Sequence, residues 1–273
     1  MAESCYQITP RATHSHTHTV IFLHGRDSVA PEFAKELFES QASNDQTLLE
    51  IFPGFKWVFP ESGLQKSARF GIEMSQWFDI WSLEDTEERK DTQRAGLFQS
   101  IGLILKIIDR EATLVGMDKI ILAGISQGCA TAIHTLLQGE RKVGAFIGIS
   151  SWLPLEAEIE QIARNPKTPI EKQHQLRGLF QLPHPKNKVP GLALDTPVLL
   201  THCQDDEVVP IERGEKLRKG LIRLGMSVEW HSYNDGGHWV NEPRGVDDIA
   251  TFLHRICRAK AAVLKRSNEK HAE

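Results

Sequence analysis

The sequence lacks a long apolar run and any metal-ligand pattern of cysteines. Even residues 97–108 are interrupted by Gln99, Ser100 and Lys106, so they fall short of the roughly 20 apolar residues that cross a membrane. The four cysteines show no CxxC spacing, which argues against a zinc site or a disulfide framework. We therefore expect reduced thiols and no stable membrane insertion.

The sequence also lacks an excess of positive charge. Acidic residues outnumber basic ones by 36 to 32, so no net positive field attracts nucleic acid. Residues 1–10 show neither the cationic start nor the apolar stretch of a secretion signal, which favours the cytoplasm. His14, His16 and His18 alternate with serine and threonine; we interpret them as a polar strand edge and expect no metal or other cofactor.

Strand and helix patterns alternate along the chain. Short apolar runs bounded by Gly, Pro, Ser or Asp predict strands at 20–23, 56–59, 120–124, 143–149, 198–201 and 228–231. Leu97, Ile101 and Ile104 follow a helical period, as do the apolar residues at 217–224 and 249–256. This order predicts an α/β fold with a mainly parallel central sheet flanked by helices. The 273 residues fit one domain, 1–273.

Two segments depart from this alternation. Residues 157–192 are polar, contain several prolines and show neither period clearly, so we interpret them as an excursion that forms a lid or insertion. Residues 266–273 are polar apart from one alanine, which predicts a frayed tail.

A G-x-S-x-G motif spans residues 124–128, with Ser126 at its centre. A strand-like run precedes it and an amphipathic helical pattern follows, which is the setting of a nucleophile elbow. The two glycines permit the sharp turn that such an elbow needs. Ser126 is therefore the candidate nucleophile.

A serine nucleophile requires a general base and an orienting carboxylate. The predicted strand 198–201 leads into a loop with Asp205 and Asp206, where the carboxyl end of a parallel strand places active-site residues. His238 follows a glycine pair after the strand 228–231 and is the candidate base. The residues alone leave the choice between Asp205 and Asp206 open.

Two backbone N–H groups are needed to stabilise a developing oxyanion. Gln127, directly after the nucleophile, supplies one, and Arg26, in the loop after strand 20–23, supplies the other through its backbone. Trp77 and Trp152 fit either an acyl-binding pocket or the core, and these alternatives stay open.

The blocks at 20–25, 77–80, 124–128, 151–154, 206–210 and 237–238, spread over most of the chain, resemble the acyl-protein thioesterase and phospholipase-carboxylesterase family of small α/β-hydrolases. The resemblance implies an α/β-hydrolase fold and a metal-free triad of Ser126, Asp206 and His238. It selects Asp206 because this residue holds the family's position before a Val-Val-Pro block. It further implies a small-molecule or acylated-protein ester or thioester as substrate.

Several positions depart from the family's pattern. Family members usually read H-G-x-G-D, whereas Arg26 and Asp27 follow the first glycine directly, which predicts a shorter oxyanion loop. Cys129, Cys203 and Ser151 also replace the family's usual residues, which predicts an altered pocket.

Three hypotheses about function follow. The first is a serine hydrolase that forms an acyl-enzyme on Ser126. The second is a catalytically silent α/β-hydrolase scaffold that binds a ligand or partner, because a fold alone does not establish activity. The third is a lysophospholipase or biosynthetic esterase with the same triad. The sequence predicts neither the acyl chain length nor the oligomeric state.

Overall fold

A computed structural model describes residues 4–139, 141–180 and 192–269, with side chains through Arg258. Its strands are β1 (Cys5–Ile8), β2 (His18–Leu23), β3 (Phe55–Pro60), β4 (Leu64–Lys66), β5 (Glu73–Ser75), β6 (Ile120–Ile125), β7 (Ala145–Ile149), β8 (Val198–Cys203) and β9 (Val228–Tyr233). Its α-helices are α1 (Ala30–Leu37), α2 (Leu48–Ile51), α3 (Asp91–Val115), α4 (Gln127–Gln138), α5 (Glu156–Arg164), α6 (Pro169–Gly178), α7 (Ile211–Leu224) and α8 (Arg244–Glu269). Short 3-10 helices lie at Met117–Lys119 and Ala193–Asp195.

One sheet organises the described part of the chain. Its seven strands run in the order β1-β3-β2-β6-β7-β8-β9, with β1 antiparallel and the others parallel. Every residue of β6 and β7 is buried, as expected for central parallel strands covered on both faces. β4 and β5 form a separate antiparallel hairpin. The predicted mainly parallel sheet flanked by helices is confirmed.

Helices cover both faces of the sheet. Apolar side chains of α3, α4 and α7 pack on one face, and those of α1 and α8 pack on the other. On α3, Leu97, Ile101 and Ile104 are fully buried, which is the face that the sequence period predicts. The carboxyl ends of the parallel strands therefore lie at one edge of a sheet whose two faces are covered by helices.

Each of the six predicted strands corresponds to a strand of the sheet, with small differences at the ends. β1 was missed because only four residues form it and none is fully buried, so it carries no apolar run. β4 and β5 were missed because each has three residues. Such short strands lie below the length at which an alternating pattern is recognisable.

The segment predicted as an excursion contains two helices, α5 and α6, in its described part. α6 has no apolar period because its buried face includes Gln173 and Arg177, which donate to the carbonyls of Leu137 and Gln138 on α4. Polar burial of this kind hides a helix from a hydrophobic pattern. Residues 181–191 of the excursion lie outside the described residues.

The last helix, α8, overlaps the predicted frayed tail, since it continues to Glu269; residues 270–273 lie outside the described part. Across the helices that the structure describes, none combines the length and apolar character needed to span a membrane.

We expect loss of an ion pair between β3 and α3 to lower the stability of the protein strongly. Lys56 Nζ donates to both carboxylate oxygens of Glu111, at 3.0 and 2.8 Å, and Glu111 is 1% exposed. Glu111→Gln removes the charge and leaves the Lys56 ammonium without its counter-ion, so we expect the free energy of unfolding to fall by about 3 kcal/mol. Urea denaturation measures the change.

The matched control is Lys35→Ala, which removes an exposed pair with Glu39. Exposed pairs contribute at most about 1 kcal/mol, so this variant should unfold close to the wild type. Equal effects of the two substitutions would contradict a structural role for the Lys56–Glu111 pair.

Candidate active site

Ser126 lies at a sharp turn between β6 and α4. Its φ of 54° and ψ of −127° are strained for a residue with a side chain. The Ser126 N–H donates to the carbonyl of Ile149 on β7 at 2.9 Å, which ties the turn to the next strand. Ser126 is 6% exposed, so its hydroxyl sits at the bottom of a depression in the surface.

The two motif glycines permit this turn by their lack of a side chain. A Cβ on Gly124 would lie 2.5 Å from the backbone nitrogen of Cys129. A Cβ on Gly128 would lie 2.3 Å from the carbonyl oxygens of Leu23 and His24. Both distances are impossible for real atoms, so the packing of α4 against β2 and β6 requires glycine at both positions.

Asp206 and His238 form the carboxylate–imidazole pair of the site. His238 Nδ1 and Asp206 Oδ2 are 2.8 Å apart, and Asp206 Oδ1 accepts from the N–H groups of Val208 and Val209. Burial opposes the ionised carboxyl, but these hydrogen bonds and one from His202 outweigh it and hold the pKa of Asp206 well below its usual range. Asp206 is therefore a carboxylate at neutral pH.

His202 supports Asp206 from the interior side. Its Nε2 lies 2.8 Å from the Val209 carbonyl and 3.3 Å from Asp206 Oδ2. The ring occupies space left by Gly214, where a Cβ would approach its Nδ1 to 2.3 Å. Sequence reasoning missed His202, although its place at the end of β8 next to the acidic loop was an available signal.

Asp205 has a different partner from Asp206. Its carboxylate oxygens accept from the N–H groups of Gly236, at 3.2 Å, and Gly237, at 2.9 Å. Both glycines have positive φ values, 122° and 61°, which suit glycine. Asp205 thus holds the turn that presents His238, whereas Asp206 contacts the imidazole itself. The geometry favours Asp206 in the choice that the residues left open.

The two candidate oxyanion amides lie on either side of Ser126. Gln127 is the first residue of α4, and the Arg26 loop lies against Ser126, since a Cβ on Gly25 would be in van der Waals contact, 3.6 Å, with that of Ser126. Within the described residues, neither the Gln127 nor the Arg26 N–H donates to a protein acceptor. Both donors, and the positive end of the α4 dipole, are available to an anion.

His24 holds the Arg26 loop in place. The Ser62 N–H donates to His24 Nε2 at 3.3 Å, so the proton lies on Nδ1, which is 2.7 Å from the Gly25 carbonyl. Burial lowers the pKa of His24 and keeps the ring neutral. The Trp77 indole N–H donates to the His24 carbonyl at 2.9 Å, and so fixes the residue that precedes this loop.

The Gln127 side chain joins α4 to the segment around Trp77. Its Oε1 accepts from the Trp77 N–H at 2.9 Å, and its Nε2 donates to the Phe78 carbonyl at 2.7 Å. Trp77 and Trp152 are both buried in the core, and neither lines the cavity beside Ser126. Substrate contact by either tryptophan stays a prediction.

A cavity of about 420 Å³ opens beside Ser126 and His238. The two side chains line it together without a hydrogen bond between them, as often occurs in a site without substrate. Its apolar walls are formed by Phe33, Phe70, Met74, Leu83, Ile125, Val208 and Trp239. Sequence reasoning missed these residues. Val208 and Trp239 could have been found from their places beside the triad, but Phe70, Met74 and Leu83 lie in a segment without a clear period.

The residues that depart from the family's pattern lie behind the cavity. Cys129 and Cys203 are buried. The Cys129 sulfur packs against Gly148 and the Cys203 sulfur against Gly236, each in space that a Cβ on the glycine would occupy. Ser151 donates to the Ser126 carbonyl at 2.7 Å. None of Cys129, Cys203 and Ser151 lines the cavity, so any effect of these residues on the pocket is indirect, and the altered pocket stays a prediction.

His14 and His16 precede β2 and only His18 lies on a strand, so the interpretation of all three as a polar strand edge is wrong. His16 Nε2 lies 2.9 Å from the hydroxyl of Thr19. In the part of the chain that the structure describes, no group of three or more His, Cys, Asp or Glu side chains is arranged to hold a metal ion.

Comparison with known protein families shows which proteins this chain resembles. The family model described as phospholipase/carboxylesterase matches residues 5–180 and 175–257. The chain belongs to this family. The resemblance noted from the sequence motifs is thereby confirmed, and so is the predicted class of ester or thioester hydrolase.

Individual relatives agree with the family. Acyl-protein thioesterase 1 of Yarrowia lipolytica is 28% identical over 244 residues, which cover 88% of this chain and 91% of the relative. Acyl-protein thioesterase 1 of Gibberella zeae is 28% identical, with 89% and 92% covered. The crystal structure of Zea mays acyl-protein thioesterase 2 superposes with a TM-score of 0.68 at 22% identity, over 93% of this chain and 99% of that one. These similarities confirm the α/β-hydrolase fold.

The different partners of the two aspartates predict different kinetic effects. Asp206→Asn removes the charge that orients and stabilises the His238 imidazolium, so we expect kcat to fall by about 10⁴-fold. Asp205→Asn loosens only the turn that presents His238, and we expect a fall in kcat of roughly tenfold. Steady-state hydrolysis of a p-nitrophenyl ester measures both.

Glu207→Gln is the matched control, because it removes a charge from an exposed residue of the same loop. This variant should retain wild-type kcat. An Asp205→Asn enzyme as active as Glu207→Gln would contradict the positioning role of Asp205.

Proposed function

We propose that the protein cleaves carboxylic esters and thioesters through an acyl-enzyme on Ser126, with His238 as general base and Asp206 as its orienting carboxylate. The observation that carries the proposal is the 2.8 Å contact between His238 Nδ1 and Asp206 Oδ2 at the cavity that Ser126 also lines. This contact keeps the Nδ1 proton towards Asp206. The other ring nitrogen, Nε2, is then able to accept the serine proton.

Acylation begins when substrate brings its carbonyl carbon to the Ser126 oxygen. His238 Nε2 accepts the hydroxyl proton as the new C–O bond forms, and Asp206 stabilises the resulting imidazolium. The carbonyl oxygen becomes an oxyanion held by the N–H groups of Gln127 and Arg26. The imidazolium then returns its proton to the leaving alcohol or thiol, and the acyl group stays on Ser126.

Deacylation repeats these steps with water as the nucleophile. His238 removes a proton from a water molecule, which attacks the acyl carbon of the ester on Ser126. The second oxyanion occupies the same two N–H donors, and its collapse releases the carboxylic acid. No redox step occurs, so the reaction uses only residues of this chain and water.

The apolar cavity favours binding of the acyl group of the substrate. Apolar walls that include Phe33, Met74 and Trp239 enclose a volume of about 420 Å³, which falls within the range of small-molecule sites. Small-molecule esters and acylated proteins are both candidate substrates. We place the enzyme in the cytoplasm, where its four cysteines, which form no disulfide, remain reduced.

A panel of acyl substrates tests the proposal. Wild type and Ser126→Ala are compared on p-nitrophenyl esters and acyl thioesters of increasing chain length and on a lysophospholipid, with labelling by a fluorophosphonate. We expect wild type to label and turn over, and Ser126→Ala to lose label and at least about 10³-fold of kcat. Preferential turnover of the lysophospholipid would favour the lysophospholipase alternative.

Thermal melting provides the control for folding, because Ser126→Ala keeps the turn and should melt near the wild type. Equal labelling of Ser126→Ala and wild type would assign the nucleophile elsewhere. A folded wild type that neither labels nor hydrolyses any substrate would instead favour the silent scaffold.

A further inference from the structure

Arg26 brings a charged side chain to the cavity in addition to its backbone N–H. The guanidinium is half-buried and lines the cavity together with Ser126 and His238. Its Nη2 donates to Met74 Sδ at 2.9 Å, and its central carbon lies 5.5 Å from the centre of the Phe70 ring. A thioether is a weak acceptor, and an aromatic face stabilises a cation only modestly. The charge thus has weak partners beside the nucleophile.

No carboxylate compensates the Arg26 charge at short range. Among the described residues, no carboxylate oxygen lies within 4.0 Å of the guanidinium, and Nε is buried without a hydrogen-bond partner. Burial lowers the pKa of Arg26, the more distant Asp27 and Asp79 offset this only in part, and the charge of Arg69 lowers it slightly further. A desolvated cation with an unmatched donor is costly to the folded state. Such a group is usually matched by a partner or used by a ligand.

Two other charged residues line the cavity, and both are carboxylates at its mouth. Asp27 and Glu36 are exposed to solvent, so water and salt screen their charges. The Arg26 guanidinium, in contrast, is half-buried, so solvent and salt screen its charge less. An anion that enters the cavity therefore interacts with Arg26 at short range and with the carboxylates only through solvent.

We infer that Arg26 is a specificity residue and that this cavity selects esters or thioesters carrying a carboxylate or phosphate group. The inference rests on the proposed function, because selection is expressed through turnover at Ser126. A guanidinium presents planar N–H donors that match the paired oxygens of a carboxylate or phosphate. The terminal Nη1 and Nη2 groups are the donors that such a group would use, because Nε is buried away from the cavity. The anion belongs either to the acyl part or to the alcohol part of the substrate.

Two pairs of substrates distinguish an anion on the acyl part from an anion on the alcohol part. For the acyl part, p-nitrophenyl hydrogen adipate is compared with its methyl-capped analogue. For the alcohol part, 4-carboxyphenyl butyrate is compared with 4-(methoxycarbonyl)phenyl butyrate. In at least one pair, we expect wild type to prefer the anionic member by about tenfold in kcat/KM, the size of one charge-assisted hydrogen bond.

Substitutions of Arg26 then test whether its side chain causes the preference for anionic substrates. Arg26→Met removes the charge and should abolish the preference, while Arg26→Lys keeps the charge without the planar fork and should retain part of it. Arg69→Met is the matched control, because Arg69 also lies 5.5 Å from the Phe70 ring but does not line the cavity. Arg69→Met should keep the wild-type ratio. The readout is the anionic-to-neutral ratio within each enzyme.

The outcomes distinguish this inference from the proposed function. Wild type that hydrolyses the neutral esters and labels with fluorophosphonate, yet shows no preference in either pair, overturns the selectivity and leaves the hydrolase intact. A preference that persists in Arg26→Met, or disappears equally in Arg69→Met, also overturns it. Absence of both turnover and labelling in folded wild type rejects the hydrolase itself, and this inference with it.

Discussion

The backbone conformation of Ser126 is the constraint on which the rest of the site depends. A non-glycine residue at φ 54° and ψ −127° persists only where surrounding contacts determine it. Here Gly124 and Gly128 let α4 approach β2 and β6 more closely than any Cβ would permit. The same approach places the first N–H of α4 beside the serine, so the strained turn and the proposed oxyanion donor are parts of one packing arrangement.

The loops after β8 and β9 are joined by two neighbouring carboxylates with separate tasks. Asp205 binds the backbone of the turn at Gly236 and Gly237, and Asp206 binds the His238 ring. His202 and two backbone N–H groups keep Asp206 ionised despite its burial. The position of the proposed base, His238, therefore follows from strand order, because β8 and β9 are adjacent and parallel and their loops leave the same edge of the sheet.

Sequence reasoning could predict the elements whose signals are local. The buried parallel strands appear as apolar runs, and Ser126 and His238 follow from turns and strand ends. The same signals leave Asp205 and Asp206 open, and only the resemblance to the family selects Asp206. Signals that depend on tertiary contacts could not be read in this way. The apolar walls at Phe70, Met74 and Leu83 come from a segment without a period, and α6 buries Gln173 and Arg177 through hydrogen bonds to α4. His202 also acts through contacts that only the fold creates.

The loop after β2, which we propose supplies an oxyanion donor, connects the departure from the family's pattern with the charge in the cavity. Asp27 adopts φ 62°, a left-handed conformation that aspartate tolerates better than most residues, at the place where the family has an additional glycine. Its N–H donates to the Ser75 carbonyl at 2.8 Å, which fixes the loop to β5. Because Met74 precedes Ser75 on that strand, the same attachment brings the Arg26 side chain onto Met74. One backbone contact thus holds Arg26 in the wall of the cavity that Ser126 also lines.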